Sequence, residues 1–133
     1  MNIDLVPLLK EALDILGCDS SIIRDIDHHS TIELELEGFP SLLISQQDDK
    51  AILWSKLAEY HQQKLLAGAE QIIEPLITLY PWATNGQIQL IENDNFFELR
   101  APLSEAVLTD SQEFANALVA FFRLLELFHQ VLR

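Results

Sequence analysis

The chain of 133 residues is both apolar and strongly acidic: 49% of its residues are hydrophobic, and 8 Lys and Arg stand against 21 Asp and Glu for a formal net charge of -13. Such a charge repels phosphate backbones and anionic lipid heads, which argues against nucleic acid and membrane surfaces as partners, and no apolar run approaches the roughly 18 residues that cross a bilayer. The single Cys18 excludes an internal disulfide and no export leader opens the sequence, so the expectation is one soluble domain, residues 1–133, in a reducing cytoplasm.

In chain order, the first helix is expected to start near Asn2 or Asp4, with Pro7 tolerated in its first turn. Leu5, Leu9, Ala12, Leu13 and Leu16 form one apolar stripe, and Gly17 is the stop. A short loop then leads into a strand over 31–37 with period-2 alternation. Ile32, Leu34 and Leu36 lie on one face, and Thr31, Glu33, Glu35 and Glu37 on the other. Gly38-Phe39-Pro40 turns the chain into a second strand around Leu42, Leu43 and Ile44. Gln47-Asp48-Asp49-Lys50 turns it again into a third, Ala51 to Ser55.

A second helix is expected from about Gln62 to Leu79. Its apolar arc runs through Leu65, Leu66, Ala69, Ile72, Ile73, Leu76, Ile77 and Tyr80, too broad for a helix with one face on a sheet and the other in water, so it should contact two bodies. Pro75 predicts a kink or an early break. Two more strands follow, Gln87 to Glu92 and Phe96 to Ala101, joined by Asn93-Asp94-Asn95. For the last helix, Thr109 with Gln112 and Asp110 with Glu113 both read as capping boxes, and Phe114, Leu118, Phe121, Leu125, Phe128 and Leu132 make a continuous core stripe. The predicted fold is α+β, an antiparallel sheet of about five strands with three helices in the order α-β-β-β-α-β-β-α.

Motifs that carry chemistry are missing. The sequence has no Gly-rich phosphate loop, nucleophile elbow or zinc-helix motif. His28 and His29 with Asp25, Asp27 and Cys18 could be drawn as a metal site, but neighbours in an extended segment point in opposite directions, so no metal and no cofactor are expected. The Glu33, Glu35, Glu37 comb could supply acid and base carboxylates; one solvated face is the plainer reading. Cys18, just past a helix C-terminus where the dipole disfavours a thiolate, is expected to be a small packing residue.

Two apolar pairs resist a simple two-layer account. Leu42 and Leu43 are adjacent in one strand, Leu53 and Trp54 in its neighbour, so one member of each pair points away from the core face. Either helices cover both sides of the sheet or an apolar surface is left for a partner. Ile22 and Ile23 pose the same alternative.

The stretch Gly17-Cys18-Asp19, Ser21-Ile22-Ile23, Asp27 and His29-Ser30 leading into Ile32 resembles the SpaK/InvB group of class I (IB) type III secretion chaperones. The likeness extends to the element order, Leu53-Trp54, Phe97-Glu98-Leu99, and Asp110, Phe114, Phe121-Phe122 and Leu125-Glu126 in the last helix. The resemblance implies a bacterial cytosolic homodimer that is not an enzyme. Such a chaperone binds a secreted effector through an extended segment near the effector's amino terminus and hands it to the secretion apparatus and its ATPase. On that basis the cargo surface is expected on the first helix and first three strands, with Ile22, Ile23, Leu42, Ile44, Leu53 and Trp54 as contacts. The dimer is expected through the second helix and fourth strand, with Ile73, Ile77, Ile88 and Leu90. The rival readings are a dimeric adaptor or scaffold and a small enzyme of unrecognised chemistry.

Overall fold

In the computed structural model, which describes residues 4–27, 31–47 and 49–133, Asp4 caps the first helix, α1 (Leu5–Ile15), by accepting from the Val6 N–H at 3.3 Å. The helix ends where Gly17 takes φ +72°. The Cys18 N–H bonds the Leu13 carbonyl at 2.9 Å and the Gly17 N–H that of Asp14 at 3.0 Å, the paired closure of a Schellman motif. Leu5, Leu9, Ala12 and Leu13 are the buried stripe.

The chain then makes a short 3₁₀ turn, Ser20–Ile22, and enters β1 (Ile23–Asp27), followed by β2 (Thr31–Leu34), β3 (Leu42–Gln47) and β4 (Lys50–Glu59). After α2 (Gln62–Ile77) come β5 (Gln89–Asn93), β6 (Phe96–Pro102) and α3 (Ser111–Leu132). All strand pairs are antiparallel, in the spatial order β1-β2-β3-β4-β6-β5. The described sheet thus has six strands rather than the expected five. The added one, β1, lies in the segment expected to be loop, and Ile23 pairs with Leu34 there. The strand expected over 31–37 is shorter, its exit past Leu34 turning toward Gly38, and the third expected strand is longer, carried to Glu59 by a register shift between Lys56 and Ala58. The Asp94-Asn95 connection of β5 to β6 puts both residues at positive φ, 53° and 66°, the backbone of a two-residue hairpin turn.

Register decides the two apolar pairs. Ile32, Ile44, Leu53 and Ala101 stand opposite one another across four strands and are all buried. The next residues along form a second row on the other face: Arg24, Glu33, Leu43, Trp54, Arg100 and Gln89. Leu43 and Trp54 there are half-buried, and the Trp54 indole is pinned by donating to Ser45 Oγ at 2.8 Å. On that same face Glu98 is only 3% exposed, 3.5 Å from Arg100 Nε.

Helix α3 gives the core more buried residues than any other element. Asp110 caps it, accepting from the N–H groups of Gln112 at 2.9 Å and Glu113 at 3.3 Å, while the Thr109 hydroxyl donates back to Ala106 O. Phe114, Phe121, Leu125 and Phe128 are fully buried, each contributing about 1.5–3 kcal/mol relative to exposure in water. Among the described residues α3 is the helix long and apolar enough to cross a membrane, but that apolar side is the one packed on the sheet and α1.

Pro75 lies inside α2, which runs two residues beyond it and stops at Ile77, short of the expected Leu79. The Tyr80 hydroxyl donates to the Pro75 carbonyl at 2.9 Å and the Thr78 hydroxyl to that of Glu74 at 2.7 Å, so carbonyls at the helix end are satisfied by side chains just past it. Only part of the broad apolar arc is covered. Ile72 is buried and Gly68 abuts Val131 of α3, while Leu66, Ile73 and Ile77 are exposed.

Candidate functional site

The C-terminal end of α1, the Ser20–Ile22 turn, β2 and α3 do not close on one another. Between them lies an apolar groove of about 470 Å³. Leu13, Leu16 and Ile22 form one wall, Leu34, Leu36 and Leu42 the floor beside the sheet, and Leu118, Val119 and Phe122 the wall on α3. Cys18, Arg123 and Glu126 complete its border.

Local rules put each wall in place. The Gly17 stop swings the chain off α1, and Asp19 holds the next turn by accepting from the Ser21 N–H at 2.9 Å, which presents Ile22 half-buried. The Glu35 N–H then reaches the Ile22 carbonyl at 2.9 Å, tying that turn to the exit of β2 where Leu36 sits. On α3, Val119 and Phe122 lie beside the core stripe rather than in it, three residues apart and so on a shared side.

A groove of this composition buries apolar side chains of a guest, each worth about 0.8 kcal/mol per methylene removed from water. A second cavity of about 800 Å³, bordered by Lys50, Thr84, Asn85, Pro102 and Glu105, is more polar and more distant from the segment around Ile22.

The structure separates the residues expected to contact cargo. Ile22, half-buried, and Leu42, a core residue 2% exposed, both line the groove, and Ile23 is half-buried at the start of β1. Ile44 and Leu53 are 0% exposed in the core and offer no surface to a guest, which corrects the expectation for both; they are the inward members of their strands. Trp54 faces the opposite side of the sheet, across β3 from Glu33. The expected contacts do not include the wall on α3, where Val119 and Phe122 adjoin the continuous core stripe of that helix. The signal was there: with Ala115 they make a second apolar line next to the core stripe. Cys18, expected to be packed, is exposed at the groove.

The residues expected at a subunit interface divide likewise. Ile73 and Ile77 are 54% and 76% exposed on α2. Ile88 is buried at 5%, a correction, since it belongs to the core of its own chain; Leu90, opposite Leu99, is half-buried against that core. Of the acidic comb, Glu35 forms an ion pair with Arg24 at 2.9 Å, both ends more than half exposed, and Glu37 is exposed. His28 and His29 lie outside the described residues, and among the described residues no group of three or more His, Cys, Asp and Glu is placed to hold a metal.

Known proteins resemble this chain in both sequence and fold. The model of the family described as the Invasion protein B family matches residues 17–94. The chain is 34% identical over 131 residues to Surface presentation of antigens protein SpaK of Salmonella typhimurium, a match covering 98% of this chain and 97% of that protein. The protein of the same name from Salmonella typhi matches at the same identity and coverage. Among solved structures, the fold is similar to a chain of the HopA1-SchA chaperone-effector complex, with TM-score 0.61 and 14% identity over 93% of this chain and 91% of that one. It is also similar to a chain of the heterodimeric ExoU-SpcU complex from the type III secretion system of Pseudomonas aeruginosa, with TM-score 0.56 and 18% identity over 91% of each.

Proposed function

The chain belongs to the Invasion protein B family, and from that premise we propose that it is a type III secretion chaperone, acting in the bacterial cytoplasm on a secreted effector rather than as an enzyme. The observation that carries this reading is the uncovered apolar groove between α1, β2 and α3. A folded chain leaves such a cavity open at a cost, and an extended guest can fill it by placing alternate side chains inside while its backbone runs along the sheet margin. The fold likeness to a chain solved in a chaperone-effector complex, and to one solved in a heterodimeric complex from a type III secretion system, supports the same reading.

In this account the guest stays unfolded because the groove holds isolated apolar side chains and gives them no partner from their own chain. Ordering such a segment costs several kcal/mol, so one groove needs help. A homodimer formed through the open side of α2, at Leu66, Ile73 and Ile77, would present two grooves to one wrapping guest and raise the effective concentration at the second. The loaded complex is then delivered to the secretion ATPase. The acidic surface keeps the carrier soluble and disfavours anionic partners.

Co-expression with candidate effectors tests the reading. One effector should form a stable complex through its first hundred or so residues, and Val119→Asp, which puts a carboxylate in the groove wall, should abolish that complex while the chaperone remains folded. Undiminished capture by the variant would remove the groove from the account.

A further inference from the structure

The turn between β2 and β3 carries a ring whose placement the groove alone does not require. Phe39 is 37% exposed in the Gly38-Phe39-Pro40 turn, yet its ring stands edge-on to Phe122, centroids 5.4 Å apart at 81°, and 6.2 Å from the His129 ring at 69°. Phe122 lines the groove and Phe39 does not. We propose that Phe39 is a specificity-determining gate: by seating on Phe122 it closes the α3 end of the groove and limits the apolar anchor that the groove accepts. This rests on the groove being the guest site.

Three observations carry it. Within the turn the Phe39 N–H bonds the Leu36 carbonyl at 3.2 Å, Pro40 has no N–H to give, and Gly38 sits at φ +81°, a setting open to glycine; the next side-chain anchor comes past the turn, where the Ser55 hydroxyl donates to the Ser41 carbonyl at 2.9 Å. Both ends of the turn, Leu36 and Leu42, belong to the groove, so a shift of the turn is felt there. Finally, Phe122 and His129 are seven residues apart, about 10 Å along α3, with Glu126 of the groove border between them. Swinging Phe39 away lengthens the groove along that interval. In an extended guest, side chains on one face repeat at about 6.6–6.8 Å, so the opened length admits a second anchor two residues from the first.

The test uses the full chain and two dyes, 1-anilinonaphthalene-8-sulfonate and its covalent dimer, which is about twice as long. Phe39→Ala should tighten the dimeric dye about twofold to tenfold, the range set by loss of one edge-to-face aromatic contact, and leave the monomeric dye unchanged. Phe39→Leu, which keeps apolar bulk in the turn, should fall between. Val119→Trp, which fills the groove, should remove both dyes. Equal dye affinities in wild type and Phe39→Ala, with binding still sensitive to Val119→Trp, would overturn the gate and leave the groove standing. Dye binding indifferent to Val119→Trp would contradict the groove itself.

Discussion

Gly68 of α2 lies so close to Val131 of α3 that a β-carbon built on the glycine would collide with the valine Cγ1 and stand 3.6 Å from its Cβ. At this point only the Val131 side chain lies between the two helices, packed directly on the Gly68 backbone. That close approach sets which side of α2 turns inward, and so leaves Leu66, Ile73 and Ile77 outside.

Replacing Gly68 with Ala gains about 1 kcal/mol of helix propensity but overpacks the contact, which typically costs 1–3 kcal/mol. Val131 is branched at Cβ and has few rotamers to retreat into within a helix. The expected outcome is a net loss of about 1 kcal/mol, a fall in Tm of about 3–5 °C, recovered when Val131→Ala is added. Thermal unfolding of the single and double variants measures both.

The exposed side of α2 should behave as an interface. Ile73→Asp with Ile77→Asp removes no buried side chain, so the subunit should keep its secondary structure while light scattering moves its mass from dimer to monomer. A dimer of unchanged mass at micromolar concentration would assign the subunit contact to another surface.

Stability and binding should separate between two leucines. Leu53→Ala empties a fully buried site and is expected to cost about 2–5 kcal/mol. Leu36→Asp, half-buried on the groove floor, should cost far less stability and yet lose the guest. Chemical denaturation and effector capture, read on both variants, check the division.

These particulars also mark what the residues could and could not disclose in advance. Local chemistry was readable: Gly17 as a stop, Asp110 as a cap, Asn93-Asp94-Asn95 as a turn, and the alternation at Ile32 and Leu34, because each is decided within a few residues. The β1 strand was not, since Ile23–Asp27 is short and mostly polar, and its pairing with β2 is what makes it a strand. Adjacent Leu53 and Trp54 announced that one of them must face away from the core, but only register against β3 and β6 says which. The groove escaped for the same reason. Val119 and Phe122 carry the same apolar signature as the core stripe beside them, and their exposure depends on where α1 stops.

His129 gives a pH dependence with a definite sign. Burial chiefly, and the charge of Arg133 after it, hold its pKa below the ordinary imidazole value near 6.5. The unfolded chain then binds more protons than the folded one, so this residue's contribution is complete above about pH 6.5 and is lost as pH falls from there through the lowered folded value. His129→Gln should therefore show a smaller loss of denaturation midpoint between pH 7.5 and 5.5 than wild type. An identical loss in both proteins would contradict the assignment.

The central claim, that the groove between α1, β2 and α3 seats the guest, meets its most direct test through Cys18, the single thiol of the chain and exposed at that groove. A benzophenone attached there and irradiated in the presence of a bound effector segment should cross-link to that segment. The same label on Trp54→Cys in a Cys18→Ser background, on the opposite face of the sheet, should not. Cross-linking from position 54 with none from Cys18 would place the guest on the other face and contradict the account.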